Sequence, residues 1–233
     1  MLVWVKELIQ KINESLHYSN QWAKKSFSQE GEDIVLNRLL DETPDGFYVE
    51  IGAHHPFRFS NTYFFYRRGW KGICIDPVPG MKALFNRYRP NDIALEVGVS
   101  QKRSTLKYFQ FNEPALNTFD PIVAKERDGL RQYKIINVQE VFTDSLSNIL
   151  DSHLPPHQKI TFLSVDVEGF DLEVLQSNNW IKYRPEYIVA ECLTADLFKL
   201  KEDPVVQYVI TLGYSPFAVT GYSILFKLDS KHT

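Results

Sequence analysis

The sequence predicts an α/β fold whose doubly wound, mostly parallel sheet ends in a C-terminal antiparallel hairpin. The first observation is an apolar, β-favouring run over residues 47–51, which ends in Gly52-Ala53 as buried strands do before a sharp turn. The second is an apolar run over residues 72–75 that ends in the carboxylate of Asp76. The third is a pair of runs at residues 214–219 and 223–228, joined across Thr220-Gly221 as in a hairpin.

Between the first two strands the pattern indicates a short helix. Ser60, Asn61 and Thr62 have the short polar side chains that cap helix starts, and the aromatic residues 63–66 follow as the helix body. Strand, small-residue turn, helix, strand and acid is the order of a nucleotide-binding βαβ unit, in which the acid accepts hydrogen bonds from a ribose diol. Asp76 is therefore expected to hold the ribose of a nucleoside-like cofactor.

The glycine pattern selects among such cofactors. A dinucleotide site needs G-x-G-x-x-G so that the backbone can approach a pyrophosphate, whereas Gly52 is followed by Ala53, His54, His55 and Pro56. S-adenosylmethionine has a ribose and an adenine but no phosphate, so it fits this turn better. An NAD-linked oxidoreductase stays as one alternative, and a non-catalytic interaction domain on the same fold is another.

Length, charge and cysteine content limit the number of domains and the classes of partner. With 233 residues and a net charge of −3, the chain is predicted to form one domain without a general attraction to nucleic acid. Cys74 and Cys192 fall inside predicted strands and are expected to be buried thiols. Apolar runs stay short of the roughly 18 residues that a membrane span needs, which predicts a cytoplasmic protein.

Residues 1–25 have the pattern of one amphipathic helix, separate from a main domain at residues 26–233. Val5, Leu8, Ile9, Ile12 and Leu16 recur at helical spacing between charged residues. Packing on its own domain is the interpretation we favour from the sequence. A homodimer contact, or docking on a membrane or a glycosyltransferase partner, are the alternatives.

The elements after Asp76 continue the α/β alternation. A helix is predicted near residues 81–88, ending at Pro90, and a third strand with its exit loop at residues 93–100. Loops at the carboxyl ends of such strands line the ligand crevice, so Val99 and Ser100 are placed beside the adenine. Residues 110–135 form an insertion of mixed polarity between further strands. We expect this insertion to determine acceptor specificity, and a solvated surface loop without such a role is an equal alternative.

The most apolar run of the chain, residues 160–166, predicts a central parallel strand. It delivers Asp166 and Glu168 to the ligand edge of the sheet. A helix from residue 170 and a strand at residues 186–192 follow, and Glu191 lies near the end of that strand. A last helix around residues 204–212 precedes the hairpin.

Several of these segments, in this order, resemble the FkbM family of S-adenosylmethionine-dependent methyltransferases. They are residues 28–33 (SQEGED), 50–53 (EIGA), 60–62 (SNT), 69–72 (GWKG) and 166–169 (DVEG). The resemblance implies a class I (Rossmann-like) methyltransferase fold with a seven-stranded sheet, S-adenosyl-L-methionine as cofactor, and O-methylation of sugars, glycans or small natural products. Many family members carry a later glycine in the first loop, where this chain has His54-His55-Pro56.

The cofactor's amino-acid end is assigned to Glu50 with Asn61 and Thr62, because a zwitterion needs a carboxylate for its ammonium and free N–H groups for its carboxylate. The full set of predicted cofactor residues is Glu50, Gly52, Ala53, His54, Ser60, Asn61, Thr62, Asp76, Val99, Ser100 and Asp166.

A hydroxyl acceptor must lose its proton around the time of methyl transfer, which calls for a general base or a Lewis-acidic metal. His55 and Glu168 are the predicted catalytic residues. His55 is the candidate base because histidine titrates near neutrality. Alternatively, Asp166, Glu168 and Glu191 hold a divalent cation that prefers oxygen ligands.

Overall fold

The computed structural model describes residues 2–192 and 197–230, apart from the side chains of residues 2, 3 and 16–20. Its strands are β1 (Phe47–Ile51), β2 (Lys71–Ile75), β3 (Ile93–Leu95), β4 (Gly98–Val99), β5 (Ser104–Phe111), β6 (Ile135–Asp144), β7 (Phe162–Val165), β8 (Tyr187–Glu191), β9 (Tyr214–Thr220) and β10 (Ser223–Leu228). Its α-helices are α1 (Leu2–Asn20), α2 (Glu32–Leu40), α3 (Tyr63–Tyr66), α4 (Met81–Tyr88), α5 (Pro121–Arg127), α6 (Leu146–His153), α7 (Asp171–Gln176) and α8 (Pro204–Thr211).

The main sheet has seven strands in the order β3-β2-β1-β7-β8-β10-β9. Neighbouring strands from β3 to β8 pair in parallel, whereas β10 pairs antiparallel with both β8 and β9. The sequence-predicted fold class, a mostly parallel seven-stranded sheet with a C-terminal antiparallel hairpin, is therefore confirmed.

Strand β1 lies in the interior of this sheet, between β2 and the central strand β7, and all five of its residues are buried. Because side chains alternate along a strand, Val49 and Ile51 join one hydrophobic core while Tyr48 joins the other. The first core also contains the apolar residues of α6, α7 and α8, and the second those of α2, α3 and α4. Glu50 therefore shares its face of the sheet with Tyr48, a placement that matters for the site.

The predicted third strand, residues 93–100, is two strands in the structure. Strand β3 ends at Leu95, and β4 belongs to a second sheet with the order β4-β6-β5. Gly98 of β4 pairs with Thr143 of β6. A Cβ at Gly98 would lie 2.7 Å from side-chain atoms of Phe119 and Thr143, so the close contact between β4 and its surroundings requires glycine.

The predicted insertion at residues 110–135 is largely ordered and belongs to this second sheet. It carries α5, which begins at Pro121 with Asp120 as its N-cap, accepting hydrogen bonds from the N–H groups of Ile122 and Val123. Strands β5 and β6 pair antiparallel on either side of it. The segment therefore contains a helix followed by a mostly exposed turn, because a proline at the first helical position and a strong cap favour a helix.

Helix α1 begins at Leu2 and ends at Asn20. The side chains of residues 4–15 are all exposed, and that of Leu16 lies outside the described residues. The apolar side chains of Leu8 and Ile12 therefore do not pack on the domain in the described part of the chain, contrary to the interpretation we favoured. Among the described helices none is long and apolar enough to cross a membrane.

Gly52, where the chain leaves β1, provides a test of this architecture. Its φ is +80°, and a Cβ there would lie 1.7 Å from the backbone carbonyl oxygen of Asp166. Gly52→Ala should lower the free energy of unfolding by about 2–5 kcal/mol, because left-handed strain and a backbone collision add together. Urea denaturation would measure this loss.

The matched control is Gly80→Ala, because Gly80 also has a positive φ, +86°, but nothing lies within 4 Å of a Cβ there. This variant should lose only the left-handed strain, about 1–2 kcal/mol. Equal losses in the two variants would show that β1 and the loop after β7 do not approach as closely as described.

Candidate functional site

The site lies at the carboxyl ends of the central parallel strands, where ligands bind in open α/β sheets. Two adjoining clefts open there and share Asp166 and Glu168. The aromatic cleft is lined by Gly52, His54, Asp76, Pro77, Tyr108, Pro114, Ala115, Asn117, Thr118, Phe119, Asp166, Val167 and Glu168. The acidic cleft is lined by Gln29, Glu30, Glu32, Phe59, Asn61, Asp166, Glu168, Glu191, Tyr222 and Ser223.

Asp76 follows β2 and lies in the aromatic cleft. Its two carboxylate oxygens accept hydrogen bonds from the backbone N–H groups of His54 and Val78, each at 2.8 Å. Burial raises the pKa of Asp76 to about 6, although these two hydrogen bonds oppose the shift. At neutral pH the side chain is an oriented carboxylate that still has acceptor capacity for a ligand.

An aromatic wall faces Asp76 from the second sheet. The rings of Tyr108 and Phe119 lie 4.7 Å apart between centroids, and Phe119 in turn lies 5.9 Å from Phe170. Burial raises the pKa of the Tyr108 hydroxyl well above its usual value. Sequence reasoning missed Tyr108, Asn117 and Phe119 because they lie in β5 and in the insertion rather than in the βαβ unit.

His54 lines the aromatic cleft, and its backbone adopts a positive φ of 47°. Its buried Nε2 has no hydrogen-bond partner among the described residues. Burial, together with the nearby charges of Arg58 and His55, lowers the pKa of His54 to about 4. The imidazole is therefore neutral at physiological pH and has one polar atom available to a ligand.

His55 lines neither cleft. Its Nδ1 accepts hydrogen bonds from the backbone N–H groups of Phe57 and Arg58, at 3.1 and 3.2 Å. Because Nδ1 is an acceptor, the neutral ring carries its proton on Nε2. Burial and the charge of Arg58 also lower the pKa of His55. The ring supports the loop after β1 instead of pointing a free basic nitrogen into either cleft.

Glu50, Asn61 and Thr62 come together, as the sequence predicts. Glu50 accepts hydrogen bonds from the Asn61 backbone N–H, at 3.1 Å, and from the Thr62 hydroxyl, at 2.6 Å. Of the three, only Asn61 lines a cleft, and its amide donates to the Ser164 hydroxyl at 3.0 Å. The Ser60 hydroxyl accepts the N–H of Tyr63, the first residue of α3, at 3.1 Å, so it supports the start of the helix while Thr62 occupies the N-cap position.

Arg89, which the sequence analysis did not single out, lies fully buried beneath this loop. Its Nε donates to Asp92 at 2.8 Å, and its Nη2 donates to the hydroxyls of Thr62 and Tyr48 at 2.8 and 3.1 Å. Its Nη1 donates to the Ser60 hydroxyl at 3.2 Å and lies 3.9 Å from Glu50. One guanidinium thus joins β1, the loop before α3 and the end of α4.

Three other predicted cofactor residues line neither cleft. Ala53 is buried in the second hydrophobic core. Val99 is buried in the first core, and the Ser100 hydroxyl donates to Thr143 or to the Lys102 carbonyl, at 2.8 and 2.9 Å. Val99 and Ser100 are displaced because the chain leaves the main sheet after β3 to pair with β6.

The three predicted metal ligands do converge. One carboxylate oxygen from each of Asp166, Glu168 and Glu191 lies within 4.8 Å of the others. Glu168 has a left-handed φ of 57°, and Arg127 of α5 approaches its carboxylate to 2.5 Å. Asp166 is exposed at the junction of the two clefts, whereas Glu168 is half-buried and Glu191 is buried.

Glu191 is the most enclosed of the three carboxylates, with 8% of its surface exposed. Burial, followed by the charges of Asp166, Asp171 and Glu168, raises the pKa of Glu191 to about 11. Its Oε2 has no hydrogen-bond partner among the described residues. A pKa this high keeps Glu191 protonated at neutral pH, and the three acidic groups meet at the junction of the two clefts beside one guanidinium, that of Arg127.

Comparison with known proteins agrees with this geometry. A family model described as the methyltransferase FkbM domain matches residues 50–215. The chain belongs to the FkbM methyltransferase family. The matched region of this FkbM protein contains Asp76, the whole second sheet and the carboxylate cluster, whereas Glu30, Glu32 and Tyr222 of the acidic cleft lie outside it.

Membership of the FkbM family makes the protein a methyltransferase and implies S-adenosylmethionine as methyl donor. Among solved structures, the chain is similar to precorrin-6y C5,15-methyltransferase from Geobacter metallireducens GS-15, with 14% identity and a TM-score of 0.42. That alignment covers 89% of this chain and 93% of the other. No curated protein sequence matches the chain.

Arg89→Met tests whether the buried guanidinium holds the site together. The substitution leaves the carboxylates of Asp92 and Glu50 without their counter-charge, so the free energy of unfolding should fall by about 3–5 kcal/mol. Arg87→Met removes an exposed guanidinium from the same helix and should change it by less than about 0.5 kcal/mol. Similar losses in both variants, measured by urea denaturation, would contradict the role assigned to Arg89.

Proposed function

We propose that this FkbM protein is an S-adenosylmethionine-dependent O-methyltransferase that acts on a hydroxyl of a sugar or glycan. The observation that carries the proposal is an oriented carboxylate, Asp76, at the end of the second parallel strand, facing an aromatic wall in a cleft. A ribose diol and an adenine are the groups that such a carboxylate and wall recognise. We assign this activity to residues 26–233, with residues 1–25 as a separate helix.

The aromatic cleft is the seat of the cofactor in this proposal. Both ribose hydroxyls donate to Asp76, and the adenine stacks against Tyr108 or Phe119. The glycine turn at Gly52 lets the methionine part pass close to the backbone and reach the junction with the acidic cleft. There Asn61, whose amide also donates to Ser164, is the residue proposed to contact its amino-acid end. His54, which is neutral and has a free Nε2, supplies a further polar contact without adding charge near the sulfonium.

The acidic cleft is then the seat of the acceptor. It joins the aromatic cleft at Asp166 and Glu168, which is where a methyl group leaving the cofactor would arrive. Carboxylates accept hydrogen bonds from the several hydroxyls of a sugar but repel phosphate groups. This chemistry favours a neutral sugar or glycan over a small hydrophobic natural product, which stays as the second acceptor class.

The transfer is an in-line displacement for which alignment at about 3–3.5 Å is the main requirement. The acceptor oxygen forms a bond to the methyl carbon, and the carbon–sulfur bond breaks with its electron pair going to sulfur. The acceptor proton would pass to the carboxylate of Glu168; a divalent cation held by Asp166, Glu168 and Glu191 would instead favour loss of that proton to water. Both routes use Glu168, and the bound Nδ1 of His55 makes it the weaker candidate for a base.

An activity screen tests the proposal. The full chain, incubated with radiolabelled S-adenosylmethionine and a panel of oligosaccharides and small phenols, should transfer label to a sugar hydroxyl, identified by NMR of the product. Calorimetry should show binding of S-adenosylhomocysteine and none of NAD. Transfer only to phenols would move the acceptor to the natural-product class, and binding of NAD instead would overturn the proposal.

Asp76→Asn tests the cofactor assignment. The amide keeps the size of the side chain but loses a charge-assisted acceptor, so S-adenosylhomocysteine should bind about 10- to 100-fold more weakly, for a loss of about 1.5–3 kcal/mol. The variant should fold, since an amide oxygen can still accept one of the two backbone N–H groups.

The wild-type protein should also show a pH signature. The ribose hydroxyls donate to the ionised carboxylate, so affinity should be constant above pH 7 and fall as the pH drops through the Asp76 pKa of about 6. Asp76→Asn should lack this decline between pH 7 and pH 5, as followed by calorimetry. A decline of equal size in both proteins would place its origin elsewhere.

A further inference from the structure

We propose that Asp166, Glu168 and Glu191 bind a divalent cation of the class that prefers oxygen ligands, such as Mg²⁺, Mn²⁺ or Ca²⁺. Binding of the cation follows from these residues alone. Its role, to hold the acceptor hydroxyl and favour loss of its proton, rests on the proposed methyl transfer.

The distances suit such an ion. The three oxygen atoms lie within 4.8 Å of one another. Oxygen ligands of Ca²⁺ lie at about 2.3–2.6 Å, so two ligands on opposite sides of the ion are about 4.6–5.2 Å apart. The three side chains can therefore coordinate one ion with small rotations, and Mg²⁺, with bonds of about 2.0–2.1 Å, would draw them slightly closer.

Glu191 supplies an independent observation. More than nine-tenths of its surface is buried, and its Oε2, which borders the acidic cleft, has no hydrogen-bond partner among the described residues. A buried carboxylate without a partner is destabilising by itself. A cation between Glu191 and Asp166 would supply the missing partner of Glu191. Asp166 is exposed and makes no hydrogen bond within the described ranges, so its carboxylate is available as a second ligand.

The charges around the three carboxylates also favour a bound cation. Arg127 brings one positive charge to the cluster through its ion pair with Glu168. Three carboxylates converge there, and Glu32 lines the same cleft. Arg127 pairs with Glu168 alone, so the carboxylates of Asp166 and Glu191 remain as the counter-charges of a divalent ion.

The turn that carries Glu168 has a constrained backbone conformation, which hydrogen bonds stabilise. Glu168 and Gly169 both have positive φ values, of 57° and 94°. The buried carboxylate of Asp171 accepts hydrogen bonds from the N–H groups of Val167 and Gly169, each at 3.2 Å. A left-handed conformation at a non-glycine residue costs about 1–3 kcal/mol and is found where a functional geometry has to be maintained.

Mn²⁺ binding to the full chain without cofactor tests the inference. Mn²⁺ at about 100 times its dissociation constant should raise the melting temperature of the wild-type protein by about 5–10 °C. Electron paramagnetic resonance should show loss of the free Mn²⁺ signal with a stoichiometry of one. The absence of both effects at millimolar Mn²⁺ would overturn the proposal.

Glu191→Gln gives the sharper test because its two expected effects have opposite signs. Without metal, the variant should melt at the same temperature as the wild type or higher, because an uncharged amide replaces an unpartnered buried carboxylate. It should nevertheless bind Mn²⁺ at least about tenfold more weakly, the lower limit of what even an outer-shell change costs a metal site. Unchanged Mn²⁺ affinity in this stable variant would contradict the assignment.

Two controls separate the site from non-specific effects and from the methyl-transfer proposal. Glu140→Gln removes an exposed carboxylate from β6 and should leave Mn²⁺ binding unchanged. S-adenosylhomocysteine binding is measured in parallel on the same protein. Mn²⁺ binding without cofactor binding would support the cation site and contradict the proposed function. Cofactor binding without Mn²⁺ binding would support the proposed function and contradict the cation site.

Discussion

A fully buried guanidinium beneath the cleft is the interaction on which the site depends. Arg89 has lost its water, and only its hydrogen bonds and the nearby carboxylates of Asp92 and Glu50 compensate for that loss. Because its donors have a fixed planar geometry, the acceptors around them are fixed as well. Thr62 and Ser60 are two of these acceptors, so the loop that carries Asn61 to the acidic cleft is positioned from below.

At the edge of the sheet, ligand binding and electrostatic repulsion between carboxylates oppose each other. Parallel strands bring Asp76, Asp166 and Glu191 to one edge, which is convenient for binding but crowds negative charge. At Asp76 two backbone N–H groups of the neighbouring loops donate hydrogen bonds that stabilise the carboxylate. The Oε2 of Glu191 has no such partner in the described chain, and this is the observation from which we propose a bound cation.

The sequence was sufficient for the sheet and for the residues that follow strand ends. Gly52, Asp76, Asp166, Glu168 and Glu191 were identified because hydrophobic runs locate strands and parallel strand ends converge. Val99 and Ser100 were misplaced since β4 pairs with β6, more than forty residues later in the chain, and local patterns do not report long-range pairing. Arg89 was overlooked because a charged residue at the end of a helix usually faces solvent, and its burial is a tertiary property.

A crystal structure of the chain with S-adenosylhomocysteine is the most direct test of the central claim, that the two clefts divide cofactor and acceptor between them. The account predicts the adenosyl group in the aromatic cleft, with the ribose hydroxyls within hydrogen-bond distance of Asp76. The sulfur should lie at the junction formed by Asp166 and Glu168. Density for the adenosyl group in the acidic cleft, or a ribose that makes no contact with Asp76, would contradict it.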